Sequence, residues 1–66
     1  MRLSINGVGR DLAADATVAD AVAAVAAPAR GVAVAVNGAV VPRGTWARRP
    51  LAAGDRVEVL TAAQGG

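Results

Sequence analysis

The chain has 66 residues, which is room for one small domain. It is 55% apolar, but 29 of the 36 apolar residues are Ala or Val and Trp46 is the only aromatic residue, so the core must be thin. Cys and His are both absent and there are only five carboxylates, which excludes disulfides, thiolate or imidazole metal sites and most ordinary nucleophiles and bases; a self-contained enzyme is not expected, and a net charge of +2, with seven Arg and no Lys, is too small to imply nucleic-acid binding.

Taken in chain order, Leu3 and Ile5 alternate with Arg2, Ser4 and Asn6 as in a half-buried strand. Gly7-Val8-Gly9 is expected to turn the chain, with Arg10 to Ala13 as the returning strand. Thr17 opens Thr-x-x-Asp, a capping-box variant that places Asp20 in the first turn of a helix. Val18, Ala21, Val22 and Val25 then form one stripe, and Pro28 with Gly31 is expected to stop the helix. The longest apolar run, Ala21 to Ala29, contains Pro28 and is far short of the ~20 residues a membrane span needs. No export signal is visible at the N-terminus, and the expected location is cytoplasmic.

Val32, Val34 and Val36 alternate with Ala33 and Ala35, a strand that tolerates contact on both faces. Asn37-Gly38 matches a type I′ hairpin, with Ala39 to Val41 returning before Pro42. An irregular stretch around Trp46 follows, then a turn at Gly54-Asp55. Arg56 to Thr61 forms a last strand with Val57 and Val59 inward and Glu58 and Leu60 outward. The order implies an α+β roll: a mixed four- to five-stranded sheet crossed by one helix, its first and last strands parallel. Residues 1–66 are expected to form a single domain with 62–66 as a flexible tail.

The feature that points to chemistry is Gln64-Gly65-Gly66. Two residues without Cβ can pass through a narrow channel in extended form, and an α-carboxylate on Gly66 would be ionised at neutral pH. Hydroxide is too poor a leaving group for such a carboxylate to exchange oxygen for sulfur or nitrogen unaided, so the obvious route is an acyl-adenylate, made by a separate enzyme that holds ATP-Mg²⁺. Gly66 is then a substrate residue and this chain binds no cofactor and no metal. Leu60, Ala62, Ala63, Gln64 and Gly65, leading to Gly66, are the candidate partner-binding residues.

The ordered set Thr17-Val18, Val34-Ala35-Val36-Asn37-Gly38, Val41-Pro42-Arg43-Gly44-Thr45-Trp46, Leu51-Ala52-Ala53-Gly54-Asp55-Arg56-Val57-Glu58 and Gly65-Gly66 resembles the ubiquitin-like β-grasp sulfur carriers of thiamine biosynthesis, the ThiS type, across essentially the whole chain. The resemblance implies that an adenylating enzyme activates Gly66, that a persulfide donor converts it to a thiocarboxylate, and that thiazole synthase takes the sulfur. Some relatives pass through an acyl disulfide with a partner cysteine. Carriers for molybdopterin, cysteine or secondary-metabolite synthesis share the fold and the glycine pair, and a protein modifier joined through Gly66 would use the same activated acyl group. In this chain Ala62-Ala63-Gln64 stands where related tails often carry bulkier apolar residues.

Three other readings are weighed beside this one. Trp46 covers one end of the core, with an interface anchor as its alternative. Pro42-Arg43 fixes the loop entry. Arg43, Arg48, Arg49 and Arg56 form a solvated face in preference to an RNA surface, because Trp46 is the one base-stacking platform available. The free chain is expected to be a monomer without nucleic-acid or membrane partners.

Overall fold

The structure, a computed structural model, describes residues 1–28 and 30–61. It contains β1 (Arg2–Ile5), β2 (Val8–Asp11), α1 (Val18–Ala24), β3 (Val32–Val36), β4 (Ala39–Val40), a 3₁₀ helix (Arg43–Arg48) and β5 (Arg56–Thr61). The strands form one mixed sheet in the order β2-β1-β5-β3-β4. β1 and β5 run parallel at its centre, with Ser4 opposite Arg56 and Ile5 opposite Val57; the other pairs are antiparallel. This is the expected roll, in its five-stranded form.

Side chains alternate across a strand, so the pairing fixes which residues share a face. Leu3, Ile5, Val34, Val36, Val57 and Val59 all point to one side and are buried there with Val18 and Ala21 of α1. Val41, Trp46 and Leu51 close the same core. The expected inward set of β5 is confirmed, and so is the core role of Trp46, whose indole N–H donates to the Val41 carbonyl at 2.9 Å.

A seven-residue helix is too short to persist on its own. Its start is tied down: Asp20 accepts the Thr17 N–H at 2.8 Å, the return half of the expected capping box, and Val18 donates to the Arg49 carbonyl at 3.0 Å. Leu51 in turn donates to Ala16, so the segment after the 3₁₀ helix straps the helix entry.

Four boundaries differ from expectation. The first turn is Asn6-Gly7, both at positive φ (53° and 81°), and β2 therefore begins at Val8 and ends at Asp11; Asn at the first position and Gly at the second is the type I′ pairing. The helix stops at Ala24, well before Pro28. Its end is a Schellman motif, with Ala26 at φ 52° donating to Ala23 and Ala27 donating to Val22. From β2, Arg10 donates to the Ala24 carbonyl at 3.3 Å and brings positive charge to the helix C-terminus. β4 is two residues, with Val41 turned into the core, and the stretch expected to be irregular around Trp46 is the 3₁₀ helix.

Candidate functional site

The site is built on β5, the strand that leads in sequence to Gly66. On its β3 side the antiparallel ladder runs from Val57 opposite Val36 to Thr61 opposite Val32. On its β1 side the parallel ladder is short: Ser4 N–H donates to Asp55 at 3.0 Å and Asn6 N–H to Val57 at 2.9 Å before the chain turns away. The Asn6 carboxamide continues it. Its oxygen accepts the Val59 N–H at 2.8 Å and its nitrogen donates to the Val59 carbonyl at 3.2 Å.

At the opposite end of β5 the other turn asparagine acts similarly. Asn37 Oδ1 accepts the Arg56 N–H at 2.9 Å and Nδ2 donates to Asp55 Oδ1 at 3.0 Å. Asp55 also accepts the Ala52 N–H at 2.8 Å. The Ala52 bond first and the Asn37 bond second hold its carboxyl below the ordinary value of 3.8, with help from Arg49 and against a smaller opposing effect of burial.

The face of the sheet turned away from α1 carries Ser4 on β1, Ala33 and Ala35 on β3, Val40 on β4, and Arg56, Glu58 and Leu60 on β5. Val40 lies opposite Ala35, and Ala33 opposite Leu60. Val40 and Leu60 are 78% and 61% exposed, far more than the buried valines one residue away. A low apolar strip therefore crosses from β4 to the C-terminal end of β5. There Leu60 and Thr61, with Gly31, Val32 and Ala33, line a shallow groove of about 400 Å³.

Of the sequence-predicted partner-binding residues, Leu60 is in place on this exposed face. Ala62, Ala63, Gln64, Gly65 and Gly66 lie outside the described residues. Five residues span at most about 18 Å when fully extended, which bounds how far Gly66 can lie from Thr61. The four arginines do not share one element: Arg43 lies 5.0 Å over the Trp46 ring, Arg48 ends the 3₁₀ helix, Arg49 follows it, and Arg56 stands on the open sheet face. Among the described residues no group of three or more His, Cys, Asp or Glu could hold a metal ion, and no helix is long and apolar enough to cross a membrane.

The family model described as the ThiS family matches residues 3–66. The chain belongs to the ThiS family. A solved structure titled thiamine biosynthesis protein (ThiS), from Geobacter metallireducens, is 31% identical and superposes with a TM-score of 0.80, over 92% of this chain and 93% of that one. Among curated proteins none gives a match. The resemblance read from the sequence and the β-grasp fold it implies are both confirmed. Within this ThiS-family chain, sequence reasoning missed Asn6. The signal was there as Asn-Gly, the strongest two-residue hairpin pair, but Gly9 two positions on made a wider turn equally readable.

Proposed function

We propose that the chain is a sulfur carrier of thiamine biosynthesis whose reactive group is the α-carboxylate of Gly66. The observation that carries the reading is the ThiS family match, which runs through Gly65-Gly66. In this reading an adenylating enzyme joins the carboxylate to the α-phosphate of ATP-Mg²⁺ and releases pyrophosphate. The terminal sulfur of a persulfide donor then displaces AMP to form an acyl disulfide, a thiol reduces that disulfide to the thiocarboxylate with release of a second disulfide, and the thiocarboxylate yields its sulfur to thiazole synthase. ATP and magnesium belong to the partner. The carrier contributes a slender acyl group and a folded handle, so it is a co-substrate and not an enzyme.

The handle is the open sheet face. Ala is a poor strand former, and a β-branched polar residue such as Thr would serve a merely solvated strand better. Ala33 and Ala35 keep the centre of the strip low between Val40 and Leu60, which suits close approach of a flat partner surface. The strip ends at Leu60, beside Thr61, from which Gly66 lies no more than about 18 Å away. A cytoplasmic setting and a monomeric free form accord with a carrier that shuttles between enzymes.

The test is the intact mass after incubation with ATP, a ThiS-adenylating enzyme, a persulfide donor and a thiol reductant. The chain should gain the mass difference between sulfur and oxygen, and deletion of Gly66 should abolish the gain. No gain with a partner active on its own carrier would overturn the reading. Leu60→Asp should raise the carrier concentration for half-maximal loading by about tenfold, as for a moderate interface residue, with folding stability lowered by no more than about 1 kcal/mol from the loss of strand propensity. An unchanged half-maximal concentration would remove the strip from the docking surface.

A further inference from the structure

We propose that Asn6 is a positioning residue for sulfur loading, pinning β5 from its β1 side at Val59, two residues before Thr61; the inference rests on the carrier reading above. Backbone groups of alternate strand residues point to the same edge, so Val59 N–H and C=O face the β1 side as the Val57 carbonyl does. The backbone that would pair with them is gone, because β1 turns into β2 at Asn6-Gly7. The Asn6 side chain replaces that missing peptide unit, with one acceptor at 2.8 Å and one donor at 3.2 Å on the same residue.

Few side chains satisfy both demands of the position. The turn requires φ 53°, which Gly and Asn tolerate best, and the ladder requires a carboxamide. Asp would keep an acceptor for the N–H but set an anion against the Val59 carbonyl. Gly would keep the turn and leave both groups unpaired. The β1–β5 pairing proper ends at Ile5 opposite Val57, and Asn6 extends two-sided restraint of β5 to Val59. From there Leu60 and Thr61 are paired to β3 alone. Asn6 thus holds β5 from both sides to within two residues of Thr61, and the rate of a reaction at a chain end depends on how firmly the strand before it is positioned.

Asn37 supplies the matched control. It has φ 51°, also precedes Gly, and also bonds β5, but at Arg56, the end remote from Gly66. Asn6→Gly and Asn37→Gly therefore relieve the same backbone conformation and each remove two side-chain bonds. Both are compared with the unmodified chain for amide hydrogen exchange at Val59 and for loading kinetics with the adenylating enzyme, ATP, persulfide and a thiol reductant. Asn6→Gly should speed Val59 exchange and lower the maximal loading rate at saturating carrier by about tenfold, while Asn37→Gly stays within about twofold on both. Equal slowing by the two variants, or an unchanged maximal rate with Asn6→Gly, would overturn the proposal. If the unmodified chain itself never gains sulfur, the carrier reading falls and this inference falls with it; if it loads and Asn6→Gly loads as fast, only the inference falls.

Discussion

The two faces of the sheet are made from the same few residue types and put them to different use. Toward α1 every strand position in the centre is branched: Leu3, Ile5, Val34, Val36, Val57 and Val59 are all buried, Ile5, Val34 and Val57 fully so. Away from α1 the same strands offer Ser4, Ala33, Ala35, Arg56 and Glu58, with Leu60 and Val40 standing up at the margins. A chain with one aromatic residue and no disulfide has little to spare, and it concentrates its packing on one side. The difference teaches that stability and the proposed partner contact should be separable, because the alternation of β5 turns successive residues to opposite faces.

The largest expected effect breaks or sharpens that division directly. Ile5 and Ser4 are neighbours on β1 that face opposite ways. Ile5 is 1% exposed in the middle of the core, and Ile5→Ala should cost about 3 kcal/mol, most of the margin a domain this small has. Ser4→Ala should stay within about 0.5 kcal/mol, since its half-buried side chain lies on the open face, outside the core. Urea denaturation of both variants checks this. Comparable losses would mean that the open face is structural and not available to a partner.

A smaller effect concerns the end of α1, where the packed face gives way to the loop before β3. Ala26 is exposed and sits at φ 52°, a conformation that costs an L-residue with a Cβ roughly 1 kcal/mol. Ala26→Gly should therefore stabilise the chain by about 1 kcal/mol and raise the thermal midpoint by roughly 4 to 8 °C for a domain of this size. A lower midpoint would show that the helix ends elsewhere. The same residue marks where the sequence was least legible. Val57 and Val59 alternate so plainly that β5 could be placed to the residue, and Asn37-Gly38 announced its hairpin. The stretch Ala23-Ala24-Val25-Ala26-Ala27 contains no stop signal; the helix ends there because the Schellman bonds and Arg10 of β2, a contact 14 residues away in sequence, take its last carbonyls. The 3₁₀ helix had no readable period for a similar reason: Trp46 buried over Val41 decides it, not local propensity. Of the candidate site, Leu60 was legible from alternation. Asn6 was not, since its role comes from Val59, 53 residues on.

The smallest effect lies at the seam between the faces, where Asn37, Asp55 and the start of β5 meet. Asp55 is stabilised as the anion by the Ala52 N–H and the Asn37 side chain, so its carboxyl titrates below 3.8 in the folded chain. The unfolded chain, with an ordinary carboxylate, takes up the proton at higher pH than the folded one. Stability from this group is complete above about pH 5 and is lost as pH falls through the depressed folded value. Asp55→Asn removes the titration but leaves a side chain of the same shape. Its stability measured by denaturant between pH 6 and about pH 2 should fall less steeply than that of the unmodified chain, because the remaining acidic groups contribute equally to both. Parallel curves would mean that the Asn37–Asp55 contact does not persist in solution. That would leave Asn37 with the Arg56 bond as its hold on β5, and Asn6 as the better anchored of the two turn asparagines.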